Sequence, residues 1–186
     1  LYNGTSGTEL KGKKLGIHAF GQVGRNVARI AKGFGMEVFA FDPYCPASVM
    51  EAEGVKPITD INELYSTCQY VSLHIPATNE TKKSINYALL KQMPKGAMLI
   101  NTARKEVINE EELVQIMDER PDFRYVSDIT PDNASVFAEK FTGRYFFTPK
   151  KMGAQTAEAN INAGLAAANQ IVDFFKNGNT RFQVNK

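Results

Sequence analysis

Two adjacent lysines, Lys150 and Lys151, stand in the stretch YFFTPKKMGAQTAEA, where an apolar strand gives way to the start of a long helix. In an open α/β sheet such a junction is where chemistry is done. A lysine amine there can pass a proton to or from a reacting oxygen. Its reference pKa of about 10.4 is too high for that work near neutrality, so burial and neighbouring cations must favour the neutral amine.

A second concentration of chemistry lies in HAFGQVGRNVARIAKGFGMEVFAFD. It fits the dinucleotide fingerprint with one change: the three glycine positions fall at 19, 21 and 24, and the first is Ala19. Gly21 lets the backbone approach a pyrophosphate, and Gly24 lets the helix pack closely on the sheet. Gln22 and Val23 open that helix, whose N-terminus faces the phosphates. Ala19 is tolerable provided its dihedrals stay in the ordinary region. Asp42 ends the following strand, where a carboxylate can accept both ribose hydroxyls. The same charge repels a 2′-phosphate, so NAD is favoured over NADP.

The elements that must position these groups follow from apolar spacing. KLGIHAF, MEVFAF, YVSLHI, AMLIN, RYVSDI and YFFT are apolar runs of strand length. Between them lie helical patterns: Val27, Ile30, Ala31 and Phe34 after the glycine turn, then DINEL, YALLKQM, INEEELVQIM and a stretch from about 156 to 175. Asp60 and Glu63 have capping-box spacing, and Asn109 is a candidate N-cap before three glutamates. Continuous apolar strands interleaved with helices predict an α/β fold: a Rossmann-type, doubly wound parallel sheet with helices on both faces. The expected organisation is a lead-in segment over 1–13, a cofactor domain over 14–176 and a C-terminal return segment over 177–186.

Composition narrows the partners. The chain has 186 residues, 22 basic against 20 acidic, for a net charge of +2. That balance gives no field that argues for nucleic acid. No apolar run reaches the roughly 20 residues needed to span a bilayer, so no membrane partner is expected. Two histidines, His18 and His74, are too few for a histidine-based metal cluster, and no metal is expected. Cys45 and Cys68 match no metal spacing and are expected as free thiols of a reducing cytosol.

Six segments, ELKGKKLGIHAFGQVG, FDPY, VSLHIPATNETKKSIN, LLKQMPKGAMLINTAR, VINEEEL and GAQTAEAN, together resemble the cofactor-binding domain of the D-isomer-specific 2-hydroxyacid dehydrogenases. The resemblance covers nearly the whole chain from Glu9 onward. It implies an NAD-dependent cytoplasmic enzyme acting on a small 2-hydroxy or 2-oxo acid, and a homodimer formed through this domain. It also implies a second, substrate-binding domain, built largely from residues ahead of the cofactor domain. Almost nothing precedes the first strand here, so the expectation is either a fragment, which would bind cofactor and turn nothing over alone, or a chain whose missing part is supplied otherwise.

The resemblance also assigns roles. Arg104 in NTAR is the family's carboxylate-binding arginine, and a planar guanidinium grips a carboxylate in two-pronged fashion. Asp128 stands near the nicotinamide carboxamide, with Thr102 and Ala103 alongside. His74 lies near the adenine side, with Pro76 and Thr81 in the loop beyond. Gly153 is the glycine of the P-H-x-G motif that feeds the last helix.

Departures matter as much. The arginine is normally followed by a glycine and, later, an aspartate; here stand Lys105 and Asn109. The usual proton-handling pair is a histidine oriented by a glutamate. The glutamate position holds Asn133, and counting back from Gly153 the histidine position holds Lys151. Pro149 comes one residue early, which leaves Lys150 as a claimant. The expectation is that Lys151 is the acid/base. Lost catalysis, leaving a non-catalytic NAD sensor or interaction protein, and a solvated charged turn are the rival readings. Among enzymes, hydroxypyruvate or glyoxylate reduction stays open, because substrate choice rests on the other domain.

Overall fold

The computed structural model describes residues 7–185. The first six residues of the lead-in segment and the last residue of the return segment therefore lie outside the described residues. The chain divides into two compact units, the first ending at Lys150 and the second beginning at Lys151.

The first unit alternates strand and helix: β1 Lys14–His18, α1 Gln22–Gly33, β2 Glu37–Phe41, α2 Ala47–Ala52, β3 Lys56–Pro57, α3 Ile61–Thr67, β4 Tyr70–Leu73, α4 Tyr87–Lys91, β5 Met98–Asn101, α5 Glu110–Glu119, β6 Arg124–Ser127, α6 Ala134–Lys140 and β7 Tyr145–Phe147. The seven strands are all parallel and lie in the order β3-β2-β1-β4-β5-β6-β7. The chain builds outward from β1 in one direction, then returns to place β4 on its other side. That reversal is the switch point at which a doubly wound sheet opens a cleft beyond its strand ends.

Alternation along the strands gives the sheet two apolar faces, both buried at β1 and β2. Leu15, Ile17, Val38 and Ala40 pack with Ala28 and Ala31 of α1 and Met50 of α2. On the other face Phe39, Val71, Leu73, Leu99 and Tyr125 join Leu64, Leu90, Leu113 and Phe137 from α3, α4, α5 and α6. The buried face of α1 is Gly24, Ala28 and Ala31, small residues that let the helix lie close to the sheet. The larger Val23, Ile30 and Phe34 point outward and are 61%, 56% and 60% exposed. Of the stripe that betrays this helix in the sequence, Ala31 and Val27 lie on the core side, while Ile30 and Phe34 face outward.

Three elements, α2, β3 and α6, have no counterpart in the predicted pattern. The helix α6 has no side-chain cap of its own. The backbone N–H groups of Asp132 and Asn133 donate instead to the Glu110 carboxylate, at 3.2 and 3.1 Å. Glu110 opens α5, whose own cap is the predicted Asn109, accepting from the Glu112 N–H at 3.4 Å. Asp60 caps α3 by accepting from the Asn62 N–H at 2.9 Å.

The second unit contains one long helix, α7 Ala157–Asn177. Thr156 Oγ1 accepts the Ala159 N–H at 3.0 Å to start it. Gly178, in the left-handed region at φ +67°, ends it two residues beyond the expected stretch.

Candidate functional site

His18, Leu73, Asn101 and Ser127 stand side by side in the sheet register and end β1, β4, β5 and β6. The loops that leave this row carry most of the predicted site residues.

The turn after β1 is tight. Ala19 adopts φ +78°, so the expectation of ordinary dihedrals is wrong. The cause lies in its surroundings. Its N–H is tied to the Phe41 carbonyl at 2.9 Å, and the next side chain, Phe20, must enter the core. A Cβ on Gly24 would sit 2.5 Å from the Ala19 carbonyl oxygen and 3.0 Å from Ile17 Cγ2, so only glycine fits beneath the turn. A Cβ on Gly21 would meet nothing within 4 Å; the space above the turn is open. Gly21 is the N-cap of α1, and its first turn, with Gln22 and Val23, receives no side-chain cap. Unsatisfied N–H groups at an open helix start are what a phosphate uses.

Asp42 locks this turn from the neighbouring strand. One carboxylate oxygen accepts the Phe20 N–H at 2.8 Å and the other accepts the Tyr44 N–H at 2.9 Å. Each oxygen has two acceptor sites, so one remains on each for an incoming hydroxyl. Asp42 borders a cleft of about 470 Å³ at the switch point, lined also by His18, Tyr44, Ile75, Pro76 and Thr81. Thr81 Oγ1 accepts the Thr78 N–H at 2.7 Å and donates to the Pro76 carbonyl, stitching the outer wall. His74, just past β4, sits 3.0 Å from Ser72 Oγ through Nε2.

His18 is buried, with Nδ1 3.1 Å from the Tyr65 hydroxyl, as a satisfied core residue should be. Burial drives its pKa down from 6.5 to about 4, against the pull of the Asp42 carboxylate and with a small push from His74. The ring is therefore neutral at pH 7.

The turn after β5 is built differently. Asn101, 1% exposed, accepts the Ala103 N–H at 3.0 Å and donates to the Arg104 carbonyl at 3.0 Å. Its amide also reaches the Tyr125 hydroxyl at 3.4 Å. The Asn101 carbonyl receives Ser127 Oγ at 3.0 Å and the Asp128 N–H at 3.3 Å. Asn101 thus connects Thr102, Ala103 and Arg104 on one loop to half-buried Asp128 on the next. Arg104 is exposed, donates through Nη1 to the Ala103 carbonyl at 2.9 Å, and among the described residues makes no ion pair. Lys105 pairs with Asp132 at 2.5 Å, and that hydrogen bond holds its ammonium above the usual range. Asn133, at the glutamate position, turns to Glu110, donating to its backbone carbonyl through Nδ2 at 3.3 Å.

Lys150 ends the first unit and is exposed; its carbonyl accepts Thr148 Oγ1 at 3.3 Å. Lys151 and Gly153 belong to the second unit. There Lys151 is half-buried, and a Cβ on Gly153 would meet nothing within 4 Å. A turn closed by the Gln155 N–H on the Met152 carbonyl at 2.9 Å leads from them to α7.

Asn101 and Ser127 are absent from the predicted set. Their only signal is a polar residue closing an otherwise apolar strand, in AMLIN and RYVS. Among the described residues no group of three or more His, Cys, Asp or Glu side chains could hold a metal ion. No helix among them is long and apolar enough to cross a membrane.

The open glycine turn, the uncapped helix start and the spare acceptors of Asp42 fit a dinucleotide at the switch point. Comparison with known proteins points the same way. Residues 2–145 match the family described as D-isomer specific 2-hydroxyacid dehydrogenase, NAD binding domain. The crystal structure of 3-phosphoglycerate dehydrogenase from Entamoeba histolytica, solved with bound NAD+, superposes with a TM-score of 0.86 at 49% identity, covering 98% of this chain and 58% of that one. D-3-phosphoglycerate dehydrogenase of Methanocaldococcus jannaschii is 35% identical over 170 residues, 89% of this chain and 32% of the relative. The Haemophilus influenzae enzyme of the same name is 33% identical over 187 residues, 97% and 45% respectively. The chain thus spans less than half the length of these curated relatives.

Proposed function

The chain belongs to the D-isomer specific 2-hydroxyacid dehydrogenase family as its NAD-binding domain, and on that premise we propose that the complete protein oxidises D-3-phosphoglycerate to 3-phosphohydroxypyruvate, the first step of serine synthesis. Likeness to the Entamoeba histolytica enzyme along almost the whole chain is the observation that carries this reading. NAD is the cofactor and, when bound, supplies the hydride acceptor.

The chain's own residues divide the remaining work. Gly21, Gln22, Val23 and Gly24 bring backbone N–H groups to the pyrophosphate. Asp42 takes the ribose hydroxyls on its spare acceptor sites. Pro76, Thr81 and His74 border the adenine end, while Thr102, Ala103, Asp128 and Gly153 serve the nicotinamide end. Arg104 fixes the substrate carboxylate, and its freedom from ion pairs among the described residues supports that role. Lys151 Nζ takes the hydroxyl proton during oxidation and returns it during reduction.

Two copies pair through this domain; the exposed apolar stripe of Val23, Ile30 and Phe34 on α1 supports an interface. The free thiols Cys45 and Cys68 support a reducing cytoplasm.

In the complete protein, Lys151→Ala is expected to abolish turnover of D-3-phosphoglycerate while NAD titration stays nearly unchanged. Undiminished turnover overturns the assignment of Lys151. A parent protein that binds NAD yet turns nothing over moves the reading to an NAD sensor.

A further inference from the structure

We propose that Asn101 is a positioning residue for the reaction: its side-chain amide, acting as donor, sets the conformation from which Arg104 reaches the substrate. The proposal rests on the carboxylate-binding role of Arg104 given above.

The geometry favours a dedicated part over a generic buried polar group. Oδ1 accepts the N–H two residues on, from Ala103, at 3.0 Å, which closes an Asx turn. That bond alone would fix the turn, and a serine hydroxyl can imitate it. The second bond, from Nδ2 to the Arg104 carbonyl at 3.0 Å, instead fixes the peptide of the functional residue itself. Arg104 holds extended dihedrals of φ −141° and ψ 144°, immediately before a short 3-10 turn at Lys105–Val107. Without the donor its peptide is free to rotate, and the guanidinium swings with it. No proline restrains this loop. The Tyr125 hydroxyl, 3.4 Å from Nδ2, steadies the amide orientation, and Asn101 itself is buried.

Two substitutions isolate the donor. Asn101→Ser keeps an acceptor for the Ala103 N–H but is too short to reach Arg104. Asn101→Asp keeps the shape and the acceptor, and places a carboxylate against the Arg104 carbonyl. Steady-state kinetics of the complete protein with D-3-phosphoglycerate and NAD would be read beside NAD titration. A displacement of about 1 Å at such a group reduces the rate by roughly a hundredfold. For Asn101→Ser we expect kcat/KM for the hydroxy acid to fall about ten- to a hundredfold, with NAD affinity within about twofold of the parent. For Asn101→Asp the same loss is expected, because a carboxylate has no hydrogen to donate to the Arg104 carbonyl. A purely structural role lowers stability without the split between acid and NAD.

Arg104→Ala is the control. If it kills turnover while Asn101→Ser behaves as parent, the proposal falls alone. If Arg104→Ala leaves turnover intact, the Arg104 role and the proposal fall together. Should neither Asn101 variant fold, Tyr125→Phe carries the test, with an expected fall of about threefold in kcat/KM for the acid at constant NAD affinity. No fall there overturns the proposal.

Discussion

The turns after β1 and β5 leave the same edge of one sheet and solve one problem in opposite ways. The first is shaped by backbone: Ala19 is held at φ +78°, and Gly24 gives up its side chain so that α1 can lie beneath. It is locked from outside by Asp42 on the neighbouring strand. The second keeps ordinary dihedrals and is shaped by one buried side chain within its own strand, Asn101. A backbone solution leaves the cleft floor bare for a ligand's phosphates. A side-chain solution frees every residue of the loop to present a functional group.

The same contrast appears in the buried polar residues of the row, since His18 titrates and Asn101 does not. Between pH 6.5 and about 4 the unfolded chain binds a proton that the folded His18 refuses. The contribution of His18 to stability is therefore complete above pH 6.5, falls as pH falls through that window, and is lost below about 4, a total of about 3 kcal/mol. Urea denaturation of the parent and of His18→Gln at pH 7 and 4.5 checks this. An equal slope in the variant would place the sensitivity elsewhere.

Gly24→Ala attacks the backbone solution directly. Its methyl group must push α1 away from the Ala19 carbonyl, with a loss of roughly 2 kcal/mol. Weaker NAD binding should accompany it in a titration of this chain. Wild-type stability together with wild-type affinity would mean the turn has slack that the 2.5 Å approach denies.

The smallest effect has the opposite sign. Ala19→Gly removes a left-handed alanine, worth about 1–2 kcal/mol, but loosens the unfolded chain by about 0.4–1 kcal/mol. A net gain of about 0.5 kcal/mol is expected as a rise in urea midpoint. A loss of stability would show that the methyl group contributes packing that offsets its backbone strain.

These two turns also explain what could be read from the chain. Gly24 is legible because the backbone leaves no room for a side chain there, and Gly21 and Asp42 because they stand at fixed offsets from it in a known fingerprint. Arg104 and Asp128 are legible only through surrounding wording, since nothing in an arginine's chemistry places it at a strand end. Asn101 hides because asparagine is ordinary in any turn, and its role exists only through contacts with Arg104 and Tyr125. Ala19 misleads because its conformation is imposed by Phe20 and Gly24, not by its own preference. Among the elements, β3 has two residues, and α2 only six and no side-chain cap, too short for apolar periodicity to register. Phe137 of α6 and Phe141, its C-cap, do lie at helical spacing, but the turn leading into the helix is held by a residue of another helix.

That borrowed start sets an order of assembly. The carboxylate holding the Asp132 and Asn133 N–H groups comes from Glu110, 22 and 23 residues earlier in the chain. An isolated helix of seven residues is far below the length that survives in water. So the turn that leads into α6 is completed only with α5 in place, and the sheet's far edge depends on it.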